Sequence, residues 1–198
     1  MPNNLLKLSI TRTWYHRKLP LNSQEWKELR QKAILNHNHS CRFCGITLSK
    51  WLICDHIDGN ASNNNLDNLG INCPGCDAIR HCGLSGIKGQ LILRHSLLNQ
   101  SQIVKKTYDF YLTNKRHPQP EEVDPLCQKI LKHSFKVNKE TVGKINNEEG
   151  QEIPSTILAN LLLHYDYDKI EGVEKIKGFF TEQFRLNFLR WRRELVEK

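Results

Sequence analysis

Residues 54–83, CDHIDGNASNNNLDNLGINCPGCDAIRHCG, concentrate side chains that can do chemistry. Asp55 and His56 stand together at the end of an apolar run. An aspartate offers a hard oxygen ligand suited to Mg²⁺ or Mn²⁺. The adjoining imidazole titrates near neutral pH and can take a proton from water. Asp77, directly after Cys76, offers a second oxygen ligand. His81, four residues further along and on the same helical face, is the alternative. Two Cys-x-x-Cys pairs bracket most of this stretch, Cys41/Cys44 and Cys73/Cys76, with 28 residues between them. Each pair can give two thiolates to a tetrahedral Zn²⁺. Gly45 and Pro74-Gly75 allow the tight turns that such knuckles need. Zinc bound there would staple the two ends of the segment that carries His56. The plain alternative is four free or redox-active cysteines. Cys54, within an apolar run, reads as a packed thiol.

The elements that must hold these groups follow from patterning. SQEWKELRQKAILN, residues 23–36, predicts an amphipathic helix with Ser23 as its N-cap and Trp26, Leu29, Ala33 and Ile34 on one face. KWLIC at 50–54 predicts a short strand that ends at Asp55. The Asn-rich segment 58–68 predicts loop. Residues 77–95 predict helix, although three glycines weaken it. Further on, SQIVKKTYDFYLTN predicts a helix, residues 115–125 a proline-punctuated linker, and LCQKILKHSF and STILANLLLHY two more helices. GFFTEQFRLNFLRWRREL, from Gly178, predicts a last helix with Phe180, Phe184, Phe188, Trp191 and Leu195 on one apolar face. This half carries no catalytic pattern.

The net charge of +8 is uneven. Residues 1–54 hold nine Lys/Arg against two Asp/Glu, whereas residues 101–198 hold 17 against 15. A basic segment ahead of the reactive stretch suits a polyanionic partner such as DNA; a solvated basic face is the plainer reading. No apolar run approaches the length needed to span a bilayer, and the N-terminus has no signal-peptide pattern, so the expectation is a cytoplasmic protein. With seven cysteines and no secretory signal, metal ligation is a stronger reading than a disulfide framework. His56-Ile57-Asp58 lacks the glutamate that a zinc deaminase requires.

The run DHIDGNASNNNLDNL…CPGC resembles the motif of the HNH, or ββα-metal, nucleases. The preceding EWKELRQKAILNHNHSCRFCG is similar to the helix and first knuckle that often lead into that motif. The resemblance covers about residues 23–95. It implies an α+β fold: a zinc-stapled ββα-metal core with flanking helices, residues 1–98, followed by a mostly α-helical accessory region, residues 99–198. It implies that Asp55 and Asp77 hold a catalytic Mg²⁺ or Mn²⁺, that His56 is the general base, and that Asn68 shapes the loop and holds the backbone of the histidine. Asp77 stands where the family usually has His or Asn. The implied activity is hydrolysis of DNA phosphodiester bonds, with Arg42, Arg80, Lys88 and Arg94 on the phosphate backbone. The alternative is an inactive zinc-stapled relative that binds DNA or, through the C-terminal helices, a protein partner.

Overall fold

The N-terminal helix forms where the sequence predicts it. In the computed structural model, which describes residues 5–8, 18–129 and 175–184, α1 spans Gln24–Asn36 and buries Trp26, Ala33 and Ile34. The Ser23 hydroxyl accepts from the Trp26 amide at 3.2 Å and so satisfies a donor that the first helical turn leaves open. Asn38 and His39 then take positive φ and stop the helix. The chain folds back through an isolated bridge between Ser40 and Thr47, with Gly45 at φ +72° turning the first knuckle.

Strand β1 (Ile53–His56) pairs antiparallel with β2 (Leu69–Asn72), setting Asp55 opposite Gly70 and His56 opposite Leu69. The loop between them ends in a short 3₁₀ turn at Leu66–Asn68. Helix α2 (Pro74–Arg80) starts on Cys73, whose sulfur accepts from the Cys76 amide, with Pro74 in the first turn where no amide is missed. Gly75 is not needed for a turn, as its place in the knuckle had suggested. A Cβ there would lie 3.0 Å from Val104 and 3.3 Å from Phe180, so the missing side chain lets α2 press against its neighbours.

The helix predicted over 77–95 is broken. α2 ends at Arg80, α3 runs Cys82–Ile87, and Leu91–His95 form strand β3. Helix α4 (Gln100–Asn114) is as predicted, closed at its start by a capping box from Asn99 and Gln102 and at its end by Lys115 in the left-handed region. The proline-rich linker contains a single-turn helix α5 (Pro120–Val123). Where LCQKILKHSF predicts helix, Gln128–Lys129 form strand β4, and the rest of that segment lies outside the described residues. Where the last helix should begin, Ile176–Phe180 form β5, followed by a 3₁₀ turn at Glu182–Phe184. The predicted helix at 155–165, and Phe188, Trp191 and Leu195, also lie outside the described residues.

The second sheet is antiparallel in the order β4-β3-β5. Its β5 edge is covered by side chains that replace a missing strand. Gln100 both donates to the Gly178 carbonyl and accepts from the Gly178 amide, each at 2.8 Å, and His117 Nε2 sits 2.7 Å from the Phe180 carbonyl. One buried apolar cluster joins α1, β2, α2, β3, α4 and β5, from Leu6 to Phe184. Phe180 and Phe184 stack within it at 4.4 Å. The described residues are therefore a mixed α+β structure, in which α4 and α5 beyond residue 98 are accompanied by strands β4 and β5. No helix among them is long and apolar enough to cross a membrane.

Candidate functional site

The two knuckles meet. The sulfurs of Cys41, Cys44, Cys73 and Cys76 lie within 4.8 Å of one another, with Cys41, Cys73 and Cys76 buried. The first pair is shaped by the Cys41 amide donating to Ile46 O and the Gly45 amide to Cys41 O, both at 2.9 Å. The second pair is set by the first turn of α2. Hydrogen bonds from Cys44, Cys73 and Cys76 pull the Cys41 thiol far below its ordinary range. Burial pushes Cys73 and Cys76 well up. Four sulfurs this close together can hold a metal ion such as zinc. Tyr108, buried on α4, packs beside it, its hydroxyl raised by burial and by the charge on Cys73.

Asp55, in β1, is only 6% exposed. Its Oδ2 is in direct contact with Arg80 Nη1. The same oxygen has Arg42 Nη2 at 4.0 Å and accepts from Asn72 Nδ2 at 3.4 Å. Arg42 reaches it along β2: its amide donates to Ile71 O at 2.8 Å and its Nε to Asn72 Oδ1 at 3.1 Å. Gly70 makes room, because a Cβ there would come within 2.5 Å of the Arg42 guanidinium. Burial, and then the neighbouring charge of Arg80, draws the Arg42 guanidinium below its ordinary range. Asp77, one helical turn before His81, has its Oδ1 3.7 Å from His81 Nε2. Burial, with Asp55 adding to it, raises the Asp77 carboxyl to about 6 against the opposing pull of His81 and Arg80.

The side chain of His56 is enclosed. It is 2% exposed, stacked on Trp26 of α1 with ring centroids 5.7 Å apart, and its Nε2 is 3.1 Å from Asn64 Oδ1. Asn68 organises the loop: its side chain accepts from the Asp58 amide and donates to Asp58 Oδ1 and Asn63 O, and its own carbonyl accepts from the amide of Ile57, next to His56. Of the four basic residues expected on a phosphate backbone, Lys88 alone is exposed. The Arg42 side chain and Arg80 are turned onto Asp55, and Arg94 is buried in β3, donating to Leu93 O.

Among the described residues, the four cysteines are the group of three or more His, Cys, Asp or Glu side chains whose ligand atoms converge. Of the residues expected around a second ion, Asp55 contacts Arg80, and Asp77 lies against His81, the alternative ligand. Sequence reasoning missed Arg80 as the partner of Asp55, and Trp26 and Asn64 as the enclosure of His56. Arg80 had a signal, since it falls one turn after Asp77 on the same short helix. The contact of Trp26 with His56 spans 30 positions of sequence and had none. No protein-family model and no curated protein matches this chain.

Proposed function

We propose that the chain is an HNH-like module, stapled by one zinc on Cys41, Cys44, Cys73 and Cys76, that binds a partner and does not hydrolyse phosphodiesters. The β1–β2–α2 succession, with Asp55-His56 closing β1 and the cysteines at both ends, supports the HNH-like part. The enclosure of His56 carries the rest. A general base must come within hydrogen-bond reach of the water it activates, and this ring is 2% exposed, stacked on Trp26 and in contact with Asn64 through Nε2. A protein partner fits the surface better than a phosphate backbone. Leu97 and Leu126 are 85% and 75% exposed, large apolar side chains left open on the surface. Three of the four expected phosphate contacts point inward. The test is plasmid nicking by zinc-loaded protein with Mg²⁺ or Mn²⁺. No nicking beyond the level of His56→Ala is expected; nicking that EDTA and His56→Ala both abolish would refute the reading and favour the nuclease.

A further inference from the structure

The HNH resemblance calls for a divalent ion on Asp55, and the side chains around Asp55 do not suit one. We infer that the Arg80 guanidinium takes the place of that ion, so that Asp55 is closed to cations by an internal counter-charge. This rests on the non-hydrolytic reading of the module and says what keeps its site shut.

Three observations support it independently. The Asp55 oxygen in contact with Arg80 also has a second guanidinium, Arg42, and the Asn72 amide around it, so its lone pairs face donors. Arg42 is admitted by the absence of a side chain at Gly70, which makes the positive surround of Asp55 a feature of the strand pair itself. Arg80 emerges from the last turn of α2, whose first turn carries Cys76 and Asp77, so the element that fixes the cysteine cluster also aims the guanidinium. A divalent ion would have to displace one cation and lie beside another, and like charges at such distances repel strongly in a buried site. With the guanidinium gone, the Asp55 carboxylate would be left as a hard oxygen ligand suited to Mn²⁺ or Mg²⁺.

The experiment is Mn²⁺ titration of the zinc-loaded full chain, followed by calorimetry and by paramagnetic broadening of amide signals. The wild type should show no broadening at Asp55, Gly70 or Asp77 at Mn²⁺ concentrations that saturate Arg80→Met. That variant keeps the apolar stem and removes the charge. Arg80→Met should bind Mn²⁺ about a thousandfold more tightly or better, as expected for deleting one unit charge beside the ion in a buried site. Adding Asp55→Asn should abolish the gain, and Arg80→Lys should behave as wild type. Equal Mn²⁺ affinity in wild type and Arg80→Met, or selective broadening at Asp55 in the wild type, overturns the inference. The wild-type broadening decides the matter even where Arg80→Met fails to fold. Wild type that binds Mn²⁺ at Asp55 yet leaves DNA intact would remove this inference alone; nicking would remove the functional reading beneath it.

Discussion

Asp55 Oδ2 meets Arg80, Arg42 and Asn72 at a buried position, and this fixes the sign of a simple mutation. Asp55→Ala would leave two guanidiniums side by side without their carboxylate. Removing one partner of a buried ion pair typically costs about 3–5 kcal/mol, and urea unfolding of the zinc-loaded protein should show a loss of that order. An open metal ligand would behave in the opposite way. Its removal would relieve Asp77, whose carboxyl Asp55 helps to push up, and would leave stability unchanged or raised. A stable Asp55→Ala protein would therefore contradict the ion-pair account. The sequence makes the donor types legible here: two cysteine pairs, Asp55 beside His56, and Asn68 at the loop end. It does not show which cation answers Asp55. That depends on α2 bringing Arg80 onto Asp55 and on the missing side chain at Gly70 admitting Arg42 beside it, a tertiary fact with no local pattern.

Among the elements, those whose stability is local were readable. α1 and α4 each carry a cap, from Ser23 and Asn99, and an apolar face at helical spacing. The strands of the second sheet were not. Leu91–His95 is a short apolar run, and period alone cannot separate a buried strand from a helix turn at that length. β5 exists because β3, more than 80 positions away, supplies its hydrogen bonds. Phe180 and Phe184, which suggested a helical face, share one core through a strand and a turn instead. The Gln100 amide closing the free edge of β5 gives a test at this scale. Gln100→Ala would strand the buried Gly178 amide and carbonyl, at about 1–3 kcal/mol per group left unpaired. Hydrogen exchange at Gly178 should quicken before that of Leu93, its partner in β3. Unchanged exchange would show that the clamp contributes nothing.

For the whole molecule, the cysteine cluster sits in the core shared by α1, β2, α2 and α4, so a metal bound there should govern folding rather than chemistry. Four thiolates leave no open coordination position. Cys73→Ser, at the start of α2, should lower the melting temperature markedly and reduce bound zinc; full zinc content and an unchanged melting curve would argue against the staple. The account as a whole asks for one ion, at the cysteines, and a guanidinium where a second would be. The most direct measurement is anomalous diffraction, at the zinc and manganese edges, from crystals of the wild-type chain grown with zinc and soaked in Mn²⁺. The expected result is a zinc peak among Cys41, Cys44, Cys73 and Cys76, with Arg80 resting on Asp55 and no manganese between Asp55 and Asp77. A manganese peak at that position, with the Arg80 side chain turned away, would contradict it.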